Sequence, residues 1–205
     1  MSVHETASVG GGHAVPAHVT ATGLDNRKMG MWAFLASECL FFGALISTYL
    51  LYRNRSLVGP HPSDVYDIPF TSVSSFVLLM SSLTMVLALA AIQRGDHRGT
   101  RAWLLATALL GMTFLAGQVF EFTVFVKEGL TLSRNVFGSS FFVLTGFHGM
   151  HVTVGVLLLL VLAGQSALGR LPQEKALRVE LTGLYWHFVD IVWIVIFTVV
   201  YLIPS

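Results

Sequence analysis

Residues 141–155 read FFVLTGFHGMHVTVG. The run is hydrophobic on both sides, which suits a hydrocarbon layer, yet it carries two histidines, His148 and His151. Their i, i+3 spacing puts them on one face of a helix. A second stretch repeats the device: YWHFVDIVW, residues 185–193, sets His187 and Asp190 three apart. A third, GQVFEF at residues 117–122, does so with Gln118 and Glu121. Polar side chains are costly in lipid and turn toward protein or trapped water. The remaining segments are therefore expected to pack around these faces.

Composition agrees with a bilayer. Of 205 residues, 54% are hydrophobic and only 11% charged, where a soluble domain carries about 25% charged residues. The net charge of +1 offers no basic field for nucleic acid, which argues against that class of partner. The single cysteine, Cys39, has no internal disulfide partner and reads as a small buried residue in an apolar run. Residues 1–28 lack a basic start followed by an apolar core, so no cleavable signal is expected there. They are rich in Gly, Ala, Val, Thr and His without periodicity, the pattern of a flexible cytoplasmic tail. The irregular spacing of His4, His13 and His18 argues against a metal site in that tail.

Five apolar runs follow, at about 29–52, 71–92, 103–126, 138–163 and 184–203. Each is near the ~20 residues that cross ~30 Å of hydrocarbon. An isolated span satisfies its own backbone only as a helix. The fold class is therefore an all-α membrane protein, a five-transmembrane-helix bundle over residues 29–205. Pro60, Pro62 and Pro69 break the loop before the second span, and Pro172 stands in the loop before the fifth. One side of the membrane receives Arg27, Lys28, Arg94, Arg98, Arg101, Arg170, Lys175 and Arg178; the other receives Arg53, Arg55, Lys127 and Arg134. The richer side faces the cytoplasm under the positive-inside rule, which puts the N-terminus inside and the C-terminus outside. Gly111, Gly117, Gly146, Gly149 and Gly155 are read as sites of close helix approach. The hydroxyls of the second span, Ser72 to Thr84, can bond to their own helix or across to a neighbour. No internal repeat is visible, which weakens a transporter built from inverted halves.

Six ionisable residues lie within spans: Glu38, Glu121, His148, His151, His187 and Asp190. Acids and histidines in a bundle raise a carboxylate-bridged di-iron site, which uses two Glu-x-x-His pairs. Here Glu38 is followed at i+3 by Phe41 and Glu121 by Val124, so neither pair exists. Depth argues the same way. At 1.5 Å per residue Glu38 lies about 13 Å from the cytoplasmic end of its span and Asp190 about 10 Å from that side. Glu121 lies within about 8 Å of the outer end, out of reach of His187. A proton relay through Glu38, flanked by Phe34, Phe41 and Phe42, is one reading. The other is structural, with Glu38, His151 and Asp190 bonding across helices and fixing register. Trp186 and Trp193 read as packing or interface anchors. Arg94, Arg98 and Arg101 are candidates for holding a phosphate headgroup, set against an ordinary positive-inside bias.

At these residues the chain resembles subunit III of the haem-copper respiratory oxidases, the cytochrome c oxidase subunit 3 family in its five-helix bacterial form. The resemblance is carried by SECLFFG around Glu38, GQVFEF, GSSFFVLTGFHGMHVTVG at residues 138–155, and YWHFVDIVW. It runs in order from about Met29 to the C-terminus and leaves the tail unmatched. It implies an accessory subunit of the bacterial cytoplasmic membrane with no catalytic residue, metal or redox centre of its own. Haem and copper would belong to subunit I, which reduces oxygen to water and pumps protons; subunit II and a small subunit IV would complete the complex. The resemblance also implies stabilisation of subunit I, phospholipid binding, and support of proton uptake, with Glu38 as the family's acid. Gln118, Glu121, His148, His151, His187 and Asp190 would serve as intramembrane packing positions. Many members have seven spans; this chain lacks the first two, which form one arm of the lipid cleft. The motif around Glu38 leans toward a cytochrome c oxidase. Quinol oxidase and nitric oxide reductase subunits stand as alternatives, and a stand-alone metal oxidoreductase or a transporter as rival classes.

Overall fold

The computed structural model describes residues 25–53, 68–127 and 136–203. The tail histidines, Arg55, Pro60, Pro62 and Arg134 lie outside the described residues. Five long helices account for the rest: α1 (Asn26–Tyr52), α2 (Ile68–Gln93), α3 (His97–Lys127), α4 (Val136–Ala167) and α5 (Ala176–Phe197). A 3-10 turn, Gln173–Lys175, leads into α5, and a π turn, Thr198–Leu202, ends it. All five are long and apolar enough to cross a membrane.

The apolar runs mark hydrocarbon, and the helices outreach them where polar residues cap the ends. Asp25 caps α1 by accepting the Arg27 amide at 2.8 Å. The link from α2 to α3 is shorter than an apolar count suggests, because two capping devices share it. Gly95 adopts φ 75° and donates to Ile92 O, while the Asp96 amide reaches back to Ala91 O, closing α2 with a left-handed cap. The Asp96 carboxylate then accepts the Gly99 amide at 2.9 Å and starts α3 six residues ahead of the apolar run. Gly169, φ 67°, ends α4 the same way, with Arg170 N bonded to Gln165 O. Pro69, expected to break the preceding loop, instead occupies the first turn of α2, where a missing amide proton costs no helix bond.

The helices are unequally buried. In the most apolar window of α1 only 17% is buried, against 56% for the segment containing α5. Accordingly α5 lies against α2, α4 and α1, while α1 touches mainly α4 and α5. The most extensive pairing is α2 with α3. The centre is aromatic: Trp186, Trp193, Phe114, Phe125, Phe137 and Phe141 are all buried.

Trp186 fixes how closely α3, α4 and α5 approach. A Cβ at Gly111 would stand 2.6 Å from the indole Cη2, and one at Gly155 2.7 Å from Cε3. A Cβ at Gly117 would stand 3.0 Å from Ser74 Oγ. Gly146 and Gly149 depart from the expectation: nothing lies within 4 Å of a Cβ there, and Gly146 borders an open surface depression with Phe142, Phe147 and Met150. The two tryptophans prove to be core side chains rather than interface anchors, because each indole nitrogen finds a serine on α2. Trp186 Nε1 donates to Ser81 Oγ at 2.9 Å and Trp193 Nε1 to Ser75 Oγ at 2.8 Å. Cys39, expected to be buried, is exposed on α1, the peripheral helix.

Candidate functional site

The intramembrane polar residues sort into four places. At one end of α3, Glu121 is buried and its Oε1 accepts from Thr71 Oγ1 at 2.5 Å and from Tyr201 OH at 3.1 Å. Gln118, one turn away, is buried, and its Oε1 finds no hydrogen-bond donor among the described residues. Nearby in the chain's last turn, Arg53 reaches from the end of α1 to the carbonyl oxygens of Val199 and Ile203. In the π register Ile203 N bonds to Thr198 O, which leaves Val199 O to the guanidinium.

His148 sits apart, in an aromatic box. It is fully buried, stacks on Trp193 at 4.9 Å and meets the edge of Phe114 at 6.0 Å. Neither ring nitrogen has a hydrogen-bond partner among the described residues.

His187 and Asp190 do share a site, and Ser82 of α2 joins them. Ser82 Oγ donates to Asp190 Oδ2 at 2.6 Å, and His187 Nδ1 stands 3.2 Å from the same Oγ. One hydroxyl proton cannot serve both. With it committed to the carboxylate, Nδ1–H of His187 donates to Oγ, and the order runs His187 to Ser82 to Asp190.

The fourth place joins α1 to α4. His151 Nε2 lies 3.2 Å from Glu38 Oε2, and Nδ1 lies 2.7 Å from Phe147 O. Tyr185 of α5 donates its hydroxyl to the His151 carbonyl at 3.0 Å, and Phe42 meets the imidazole edge at 5.1 Å. The pair lines a groove of about 570 Å³ with Met31, Phe34, Met150, Val154, Tyr185 and Arg178. The expected bond between Glu38 and His151 is therefore present, whereas Asp190 turns to α2 instead of joining them. His148 and His151 also part company: one meets α3 and Trp193 of α5, the other α1 and Tyr185 of α5.

Arg94, Arg98 and Arg101 are all exposed, around the α2–α3 turn. Sequence reasoning missed the partners Thr71, Tyr185 and Tyr201, and the capping role of Arg53. The run of α2 hydroxyls it singled out does supply Ser82, which bonds across to Asp190.

Residues 3–205 match the family described as cytochrome c oxidase subunit III. The chain belongs to that family. The match takes in most of the tail, which the motifs alone had left out. Among the relatives of this subunit III chain is the cytochrome bo(3) ubiquinol oxidase subunit 3 of Pseudomonas aeruginosa, 39% identical over 88% of this chain and 86% of that protein. The quinol oxidase subunit 3 of Bacillus subtilis is 36% identical over 97% of each. The cytochrome c oxidase subunit 3 of Bacillus sp. strain PS3 is 37% identical over 86% of each. With five spans and this membership, the chain is a multi-pass subunit of a bacterial respiratory oxidase. It associates with other oxidase subunits. Relatives named for quinol and for cytochrome c occur at similar identity, so the lean toward a cytochrome c donor drawn from the motif at Glu38 gains no support.

Proposed function

We propose that this subunit III is a non-redox accessory subunit of a proton-pumping terminal oxidase. It packs beside subunit I, which would hold the haem and copper and reduce oxygen to water, with subunit II and a small subunit IV in the same complex. The observation that carries the proton role is the Glu38–His151 contact of 3.2 Å on an open groove. A carboxyl and an imidazole in contact can pass a proton between them, and a groove at the bundle edge gives that proton a way in. The positive-inside bias puts the N-terminus in the cytoplasm, on the side from which protons are taken up.

The groove and the exposed arginines at the α2–α3 turn support phospholipid binding. The groove is mostly apolar, with Arg178 among its lining residues, which suits an acyl chain below a headgroup. Arg94, Arg98 and Arg101 offer a second headgroup surface.

The decisive experiment purifies the gently solubilised complex. A haem spectrum that follows the chain through purification supports the reading; a chain that purifies alone with bound iron would replace it with a metal oxidoreductase. Glu38→Gln should assemble normally and lower sustained turnover or pumping. Unchanged turnover over many cycles removes the proton role and leaves packing. A quinol donor is a second reading, favoured by the names of two of the relatives above. Oxidation of cytochrome c against quinol by the same preparation separates the two.

A further inference from the structure

We propose that Glu38 and His151 bind a single shared proton, held between Oε2 and Nε2, with His151 locked in one tautomer by the carbonyl of Phe147. Phe147 O can only accept, so at 2.7 Å the His151 Nδ1 carries a hydrogen. A neutral imidazole protonated at Nδ1 presents a bare lone pair at Nε2. That nitrogen faces Glu38 Oε2 at 3.2 Å. An ionised carboxylate there would set two acceptors against each other. One proton between them removes the conflict, as imidazolium with carboxylate or as imidazole with carboxylic acid. The two forms differ only in the position of that proton, and both leave the pair uncharged overall. A pair without net charge is the form that a hydrocarbon layer tolerates best.

The groups around the pair do not supply a competing proton. From α5, the Tyr185 hydroxyl is committed to the His151 carbonyl at 3.0 Å. Arg178, also from α5, lines the groove and donates to Gln165 Oε1 at 3.3 Å. On α4 itself, His148 is turned away into its aromatic box. Phe41 and Phe42 of α1 flank the imidazole and offer no proton. Exchange therefore runs through the groove: the pair gives its proton to a groove water or an acceptor on the neighbouring subunit, and regains one from water.

This inference deepens the proton role proposed above and rests on it for its purpose, though not for its chemistry. The test uses the whole oxidase complex, labelled with 15N-histidine and reconstituted in lipid. Expected is a His151 signal with a hydrogen on Nδ1 and one further proton on the pair, seen either as Nε2–H or as a Glu38 carboxyl infrared band. Glu38→Gln should remove that carboxyl band and leave His151 neutral, with its hydrogen on Nδ1. A His151 tautomer with the hydrogen on Nε2 and a bare Nδ1 overturns the proposal. So does an ionised Glu38 beside a neutral His151 across neutral pH. The wild-type spectrum decides even if the variant fails to assemble. Haem copurification and sustained turnover, measured on the same sample, report on the accessory-subunit reading separately, so the two can fail independently.

Discussion

Adding one methyl group at Gly155 should destabilise the bundle far more than adding one at Gly149, six residues away on the same helix. At Gly155 the new Cβ would lie 2.7 Å from Trp186 Cε3 and 2.8 Å from Cζ3. Carbon atoms settle at about 3.5–4.0 Å, so the ring has to retreat by roughly 1 Å. It is held on its other edge: Gly111 of α3 already faces Cη2, and Nε1 is bonded to Ser81 at 2.9 Å. A retreat of that size stretches the indole bond past its useful range. Overpacking costs about 1–3 kcal/mol, and a lost interhelical bond in a membrane about 0.6 kcal/mol more. Gly155→Ala should therefore cost about 2–3 kcal/mol. Gly149→Ala meets nothing within 4 Å and gains up to about 1 kcal/mol of helix propensity, so it should be neutral or mildly stabilising. The assay is thermal inactivation and unfolding of the detergent-solubilised complex, with the two variants run side by side. Trimming the ring in the double variant Gly155→Ala with Trp186→Phe should restore part of the loss. Equal midpoints for the two single variants would show that the indole does not wedge the helices as described.

Ser82→Ala should cost about 1–3 kcal/mol by the same unfolding assay, since Asp190 is buried and its other oxygen has no hydrogen-bond partner among the described residues; Ser72→Ala, whose exposed hydroxyl bonds its own helix at Ile68 O, should be near neutral. Arg53→Ala should release the π turn, read as faster hydrogen exchange at residues 199–203 with little change in α2. Replacing Arg94, Arg98 and Arg101 together by Ala should weaken retention of anionic lipid on the purified complex, by about 1 kcal/mol per charge at low salt; unchanged lipid retention would leave those arginines as topology signals alone.

How far the fold could be read depended on what each pattern measures. Apolar length located five helices, because a span's extent is set by hydrocarbon thickness. It could not locate their ends, which Asp25, Asp96, Gly95 and Gly169 decide by capping in polar surroundings. Residues three apart on a helix differ by about 60° in direction. That is close enough for His187 and Asp190 to share Ser82, yet wide enough for His148 and His151 to fall on opposite sides of a helix seam. Small residues were similarly ambiguous: Gly111 and Gly155 admit an indole, while Gly146 and Gly149 face outward. Glycine permits a close approach, and only the neighbouring helix determines whether one occurs. The partners Thr71 and Tyr201 of Glu121 come from two other helices, about 50 and 80 residues away in the chain, and no local pattern connects them.

The two indole–serine bonds have a geometric consequence for assembly. Trp186 and Trp193 are seven residues apart on α5, but their acceptors Ser81 and Ser75 are six apart on α2. The intervals along the two axes, about 10.5 and 9 Å, differ like the scales of a vernier. If α5 slid until Trp186 reached Ser75, Trp193 would stand opposite the start of α2 near Ile68, which offers it no hydroxyl. The observed alignment satisfies both nitrogens, and a slide of that size loses one of them. An inserting α5 thus has a built-in mark for its correct depth, readable before any neighbouring subunit arrives.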